Sequence, residues 1–242
     1  MIARCTVFLA GILTAFALPL GIAQTREQSR IAFKSGSTPL FIRPIKHGSV
    51  LIVHKGRQYY IDPAQLPEDE TFEKASAILI THEHGDHCDP AAIARLSKDD
   101  TILIGNARSI EKLGKGEVMK NGDRRKVLDA EIEAVPAYNI ERTQYHPKGR
   151  DNGYVITIAG RRIYVAGDTE ATPEMKALKD IDAAFLPINL PYTMTPKDAA
   201  EAAKSFKPRI LVPYHQGTSN AQEVAAALTD VKGIEVRVLQ LP

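Results

Sequence analysis

The 242-residue chain contains no tryptophan, and aromatic residues make up only 6% of it. A broad aromatic platform of the kind that stacks sugars or bases is therefore not expected. Cysteine is nearly absent too: there are two, Cys5 and Cys88, and Cys5 lies in a segment expected to be removed. A lone remaining thiol excludes an intramolecular disulfide framework, even in an oxidising compartment. An excess of one charge sign is also missing. Lys and Arg total 31 against 29 Asp and Glu, a net charge of +2, and no Lys/Arg-rich run suited to a phosphate backbone occurs. Arg124-Arg125-Lys126 reads as a solvated loop, and nucleic acid is not expected as a partner. Beyond residues 6–18, no stretch is long and apolar enough to cross a bilayer.

Residues 6–18 are apolar, Arg4 precedes them, and Gly21-Ile22-Ala23 supplies small residues at the two positions a signal peptidase inspects. The pattern is that of a signal peptide over residues 1–23, cleaved before Gln24. Its apolar part is shorter than the ~20 residues that span a bilayer, and Pro19 disfavours a continuous helix. The mature chain, residues 24–242, is then expected in the periplasm or secreted, with no membrane attachment after cleavage. With 44% hydrophobic and 25% charged residues, its composition is ordinary for a globular protein. Single layered α/β domains reach roughly 200–250 residues, so one domain is expected.

What the chain does have is a dense polar string, Thr81-His82-Glu83-His84-Gly85-Asp86-His87, directly after the apolar residues 75–80. Imidazole is the commonest side-chain ligand for zinc-like ions, and carboxylate oxygen is its usual companion. A His-x-His pair puts two rings on one side of an extended segment. Gly85 relieves steric limits where the chain turns, so Asp86 and His87 can face a second position beside the first. The string is a candidate two-ion cradle, with an ordinary solvated turn as the bland alternative. Distant residues weigh against that alternative. His146 lies just ahead of a hairpin pattern, Asp168 closes Tyr164-Val165-Ala166-Gly167-Asp168, and His215 follows Ile210-Leu211-Val212-Pro213-Tyr214. Each sits where an apolar run meets a loop, which is where α/β folds gather functional groups.

Local patterns outline the elements. Residues 24–37 read as a loose polar lead-in. Residues 49–53 and 58–61 are strand-like around Lys55-Gly56, a hairpin signal. Residues 75–81, 101–105, 131–135, 154–159, 162–166, 183–187 and 234–239 read as further strands. Asp89-Pro90 caps a helix to about Leu96, and Thr195-Pro196-Lys197-Asp198 opens another through Phe206. Ser219-Asn220 opens a third to about Leu228. No internal repeat is visible.

The order His82, His84, Asp86, His87, His146, Asp168, His215 resembles the metallo-β-lactamase superfamily, whose dinuclear pattern is filled here at every position. The likeness covers residues 40–240. Residues 81–89, 145–153 and 163–169, with Tyr192-Thr193-Met194-Thr195-Pro196, resemble the branch of small hydrolases that includes L-ascorbate-6-phosphate lactonase. The resemblance implies an α/β fold, a four-layer αβ/βα sandwich. It implies that His82, His84 and His146 hold one divalent ion, that Asp86, His87 and His215 hold a second, and that Asp168 bridges them. Zinc is the expected metal, with manganese as the alternative. The implied activity is a metal-dependent hydrolase in which hydroxide held between two ions cleaves an ester, lactone or phosphoester bond. Asp86 would also orient that hydroxide or relay a proton to the leaving group. The alternatives are an iron-dependent oxidoreductase on the same scaffold and a non-catalytic metal-binding protein. Against the first, flavodiiron relatives carry an acidic residue where His84 stands, and no flavin-binding domain is present.

The substrate is expected to be a small molecule. Lys148, Arg142 and Arg150 are candidate contacts for an anionic group, each with a solvated loop cation as the alternative. Tyr192 is a candidate for lining the pocket or donating to an oxyanion. Asp62, at a strand end, either holds a ligand imidazole by its other nitrogen or simply ends the strand. His47 is expected near the rim, supporting the ligands from behind and not binding the metal itself, with His54 facing water and Cys88 as a small buried residue rather than a ligand. A phosphorylated sugar lactone is mainly a cytoplasmic metabolite, so export weighs against a strict lactonase, and the flanking strings look unlike the antibiotic-degrading groups.

Overall fold

A computed structural model describes residues 30–36 and 38–239. The expected signal peptide, its cleavage site and Cys5 lie outside these residues. Seven strands form one sheet in chain order: β1 (Ile31–Phe33), β2 (Leu40–Pro44), β3 (Val50–His54), β4 (Arg57–Ile61), β5 (Ala77–Ile80), β6 (Ile102–Gly105) and β7 (Glu117–Val118). Seven more form the second: β8 (Arg124–Val127), β9 (Ala130–Ala137), β10 (Asp151–Ile158), β11 (Arg161–Val165), β12 (Ala183–Pro187), β13 (Ile210–Tyr214) and β14 (Glu235–Val236). In the first sheet β1 to β4 pair antiparallel and β4 to β7 parallel. The second repeats this scheme, with β8 to β11 antiparallel and β11 to β14 parallel. The chain is thus a topological duplication that its sequence does not display, because pairing direction depends on connection length and not on residue identity.

Parallel neighbours need crossovers, and helices supply most of them. In the first half these are α1 (Pro90–Leu96) and α2 (Ala107–Leu113), in the second α3 (Pro173–Lys176), α4 (Pro196–Phe206) and α5 (Gln222–Ala227). The expected helix starts are present. Asp89 accepts from the Ala91 and Ala92 N–H groups with Pro90 in the first turn, and Thr195 and Asp198 form a reciprocal capping box.

Alternation assigns the layers. In β5, Ala77 and Leu79 face the core between the sheets, whereas Ile78 and Ile80 pack outward with Ile93 and Leu96 of α1. In β13, Val212 and Tyr214 face inward, and Leu211 packs outward with Ala199, Ala203 and Phe206 of α4. Both faces of these strands are covered, which is why they read as unbroken apolar runs. The result is the expected four-layer α/β sandwich, two mixed sheets flanked by helices.

Some local expectations were incomplete. Ile31–Phe33, within the supposed lead-in, pairs with β2, and neither β2 nor α2 was anticipated. Arg124–Val127 is an exposed edge strand paired to β9, not a loop; its charge suits an unpaired sheet edge. The closing strand shortens to Glu235–Val236.

One rim collects the polar ends. Asp62 follows β4, the 81–87 string follows β5, Asp168 follows β11 and His215 follows β13. At Gly167 (φ +65°) a Cβ would lie 2.9 Å from the Thr81 Cβ, so glycine lets the two sheets meet at this rim.

Candidate metal centre

His82, His87, His146, Asp168 and His215 are buried, Asp86 is half-buried and His84 is exposed, so the cluster has one open side. Three of its outward-facing ring nitrogens make hydrogen bonds of ordinary length, whereas His215 Nδ1 is buried without a partner. His87 Nδ1 is 2.8 Å from Asp62 Oδ2, His82 Nδ1 is 2.9 Å from Thr81 Oγ1, and His146 Nδ1 is 3.0 Å from Asp151 Oδ2. Asp62, wholly buried, also accepts from Thr81 N at 2.7 Å and from Thr81 Oγ1 at 2.6 Å. Since the Thr81 hydroxyl donates its proton to Asp62, its oxygen must accept from His82 Nδ1–H. Burial pushes the Asp62 carboxyl up, yet as the shared acceptor it places a proton on Nδ1 of both rings, His87 directly and His82 through Thr81, so that both Nε2 atoms turn inward.

The inward atoms are spaced differently. His47 Nε2 and His215 Nε2 lie 3.2 and 3.3 Å from Asp86 Oδ2. His87 Nε2 and His215 Nε2 lie 3.3 and 3.5 Å from Asp168 Oδ1, and His146 Nε2 lies 3.5 Å from Asp168 Oδ2. Donor atoms held ~2.0–2.1 Å from one tetrahedral ion are about 3.3 Å apart, whereas hydrogen-bonded N and O are ~2.9 Å apart. His82 Nε2, His87 Nε2 and Asp168 Oδ1 are buried without a hydrogen-bond partner. Orphaned buried acceptors are costly unless a cation satisfies them, so the residues present fit a divalent metal.

Among the described residues, three sets each bring their ligand atoms within 4.8 Å of one another: His82, His84 and His146; His82, His87 and Asp168; His47, Asp86 and His215. The first is the set the resemblance implied for one ion. Around the second position, Asp86 and His215 are grouped with His47, and His87 sits with His82 and Asp168.

The chain's own charges prepare these groups. Burial and then the neighbouring His87 push the His82 ring well below its ordinary pKa, which keeps it neutral. Burial acts the same way on His87, but the carboxylates of Asp168 and Asp62 on either side outweigh it and raise that ring well above its ordinary range. Cation binding there displaces a proton. Burial pushes the Asp168 carboxyl up, yet His215 and His87 hold it well below the usual carboxylate range.

The flanking cations are already paired. Arg142 Nη2 meets Glu170 at 2.9 Å, Arg150 Nε meets Asp151 at 2.8 Å, and Lys148 Nζ is 3.6 Å from Glu174 and 4.8 Å from the Tyr138 ring centre. Tyr192 is exposed, edge-on to Tyr145 at 5.0 Å, and its carbonyl accepts from Asn139. Cys88 is buried, and burial pushes its thiol up to about 11. It joins none of the candidate ligand groups. His54 does not face water. It is buried, with Nδ1 2.8 Å from Asp129 Oδ2, because the β8–β9 turn folds over it.

Sequence reasoning missed Asp151 and Glu170. Asp151 holds His146 and Arg150, and Glu170 accepts from the backbone N–H groups of Ile140 and Glu141, shaping the loop that carries His146. An acidic residue at the first position of an apolar strand was the available signal for Asp151.

Comparison with known proteins agrees with the fold. A family described as "Beta-lactamase superfamily domain" matches residues 42–215. A UPF0173 metal-dependent hydrolase of Thermus thermophilus is 30% identical over 220 residues, covering 82% of this chain and 95% of that protein. Another, from Pyrococcus abyssi, is 33% identical over 165 residues, covering 65% and 73%. A crystal structure from Parabacteroides distasonis, described as that of a metal-dependent hydrolase, superposes with a TM-score of 0.84 at 51% identity, covering 88% of this chain and 99% of that one. The fold is also that of Igni18, a metallo hydrolase from Ignicoccus hospitalis, with a TM-score of 0.69 at 24% identity and coverage of 83% and 95%. The chain belongs to the metallo-β-lactamase superfamily and, within it, to the UPF0173 family of metal-dependent hydrolases.

Proposed function

We propose that the protein is an exported hydrolase that uses two divalent ions, zinc or else manganese, to cleave an ester, lactone or phosphoester bond of a small molecule. The observation that carries the reading is the buried set of unpartnered acceptors, His82 Nε2, His87 Nε2 and Asp168 Oδ1, beside donor atoms at ligand-to-ligand spacing. His82, His84 and His146 would hold one ion and Asp86, His87 and His215 the other, with Asp168 contributing to the centre they share. When bound, such ions supply hydroxide at neutral pH and polarise the scissile carbonyl or phosphoryl oxygen.

The chain's own residues do the rest. Asp62, Thr81 and Asp151 hold the rings by their outer nitrogens, so the inward lone pairs need no reorganisation. Burial pushes the Asp86 carboxyl up, but the imidazoles of His215 and His47 beside it hold it well below the usual range. It therefore stays ionised at the open side, where it can orient the attacking oxygen or carry a proton toward the leaving group. Arg142, Lys148 and Arg150 each face a carboxylate, so this reading gives them no substrate contact. Export rests on the apolar residues 6–18 and the small residues before Gln24.

A panel of lactones, phosphomonoesters, phosphodiesters and β-lactams, with His82→Ala as control and metal analysis of the purified chain, tests the proposal. Turnover of one class that disappears in His82→Ala, with zinc or manganese near two per chain, is expected. Rates unchanged by that substitution would overturn it, and iron with a visible absorption band would point to oxidoreductase chemistry. The lactone arm also tests the likeness to the ascorbate-6-phosphate lactonase branch. Periplasmic fractionation of the expressing cell tests export.

A further inference from the structure

We infer that His47 is a metal ligand, completing with Asp86 and His215 the outer of two metal positions. The inference rests on the two-ion reading above and adds a residue that the superfamily resemblance does not include.

The distances carry it. His47 Nε2 and His215 Nε2 both aim at one oxygen, Asp86 Oδ2, from 3.2 and 3.3 Å. Their rings are 3.8 Å apart between centres and tilted by 41°. The same molecule supplies a control, because histidines that plainly hydrogen-bond a carboxylate come closer. His54 meets Asp129 at 2.8 Å, His87 Nδ1 meets Asp62 at 2.8 Å and His146 Nδ1 meets Asp151 at 3.0 Å. The two longer separations match the ~3.3 Å between neighbouring ligands of one tetrahedral ion. A single carboxylate oxygen with two imidazole nitrogens at that spacing makes three donors to one cation.

The backbone presses His47 into this place. His47 and His215 both adopt left-handed conformations, with φ of +49° and +46°, which are uncommon and strained for residues other than glycine. The two strained residues are tied together, since the His215 N–H donates to the His47 carbonyl at 3.2 Å. The loop is closed by Ser49 N donating to Lys46 O at 2.8 Å and Ile45 N donating to Ser49 O at 2.7 Å. Between the histidine and the serine, Gly48 lies flat on the cluster. A Cβ there would sit 2.7 Å from His87 Cε1 and 3.3 Å from His215 Cδ2. A loop with no room for a methyl group, holding a strained histidine against a ligand pair, is built for its contact with that pair and not for the turn alone.

The test uses the full chain stripped with a chelator and titrated with Co(II), the ions bound being counted by equilibrium dialysis. Wild type is expected to take up two ions. His47→Ala and His47→Gln are expected to bind the first with wild-type affinity and the second at least about tenfold more weakly, the lower end of what disturbing a metal site costs. Circular dichroism establishes that each variant is folded. Independently of any variant, proton NMR of the cobalt-loaded wild type should show hyperfine-shifted imidazole resonances from six histidines, His47, His82, His84, His87, His146 and His215. Five sets, or second-ion affinity unchanged in both variants, would overturn the inference while leaving the two-ion reading intact. Wild-type affinity in His47→Gln alone would also overturn it, making His47 an N–H donor to Asp86. A wild-type chain that takes up a single ion would overturn the two-ion reading itself, and His47 as an outer ligand with it.

Discussion

Replacing Asp62 with asparagine tests the logic of the centre most sharply, because the change is isosteric and alters none of the proposed metal ligands. In the native chain Oδ1 accepts from Thr81 N, while Oδ2 accepts from both Thr81 Oγ1 and His87 Nδ1. In Asp62→Asn the amide oxygen keeps the Thr81 N–H, and an NH2 group meets the other two donors. The relief available is to reverse both: His87 moves its proton to Nε2, and Thr81 turns its hydroxyl toward His82 Nδ1, 2.9 Å away, driving that ring's proton to Nε2 as well. Both inward lone pairs are then lost. Disturbing one outer partner of a ligand histidine costs about 10–100-fold in affinity, roughly 1.4–2.7 kcal/mol. Two rings reversed together should weaken metal binding at the proposed centre by at least about 100-fold, whereas Thr81→Val, which cuts only the His82 branch, should cost about tenfold. Competition against a chromophoric chelator measures both, with circular dichroism as a check on folding. Metal affinity in Asp62→Asn indistinguishable from wild type would refute the tautomer argument.

Asp86→Asn should lower turnover by about 100-fold or more if Asp86 handles a proton; full activity with normal metal content would exclude that role. Asp151→Asn, which loses the charge facing both His146 Nδ1 and Arg150, should weaken metal binding by about tenfold, read by the same competition. Far from the centre, Asp129 joins the hairpin tips by accepting from Tyr59, His54 and Arg57, and Asp129→Ala should destabilise the fold by roughly 3 kcal/mol in urea unfolding. Burial pushes the Asp129 carboxyl up, but hydrogen bonds from Tyr59, Arg57 and His54 prevail and hold it below its ordinary range. Its contribution is therefore fully present above about pH 4 and lost as pH falls toward the folded value, so the stability gap between wild type and Asp129→Asn should narrow in acid. Gly48→Ala, whose Cβ would meet His87, should reduce metal content without unfolding the chain, checked by elemental analysis and a thermal melt.

Features that depend on neighbours in sequence were legible. The starts of α1 and α4 follow from Asp89-Pro90 and from Thr195, Pro196 and Asp198, because capping is satisfied within four residues. The doubly covered strands β5, β12 and β13 announce themselves as apolar runs. Features that depend on a distant partner were not. Arg124–Val127 has polar residues suited to a loop and becomes a strand only because β9 pairs with it. His54 looked like a water-facing residue until Asp129, from another sheet, closed over it. Lys148 and Arg142 looked like free cations until Glu174 and Glu170 met them.

The string that follows β5 shows the same division. Residue type alone determined that His82, His84, Asp86, His87, His146, Asp168 and His215 can donate to a cation, because donor chemistry belongs to the side chain wherever the chain places it. Folding decided how those donors are shared. The parallel strands of two sheets end at one rim, where His47 was brought to Asp86 and His215, and Asp62 was buried behind two rings at once. Distances of about 3 Å between residues far apart in sequence are a property of packing, and no local pattern encodes them.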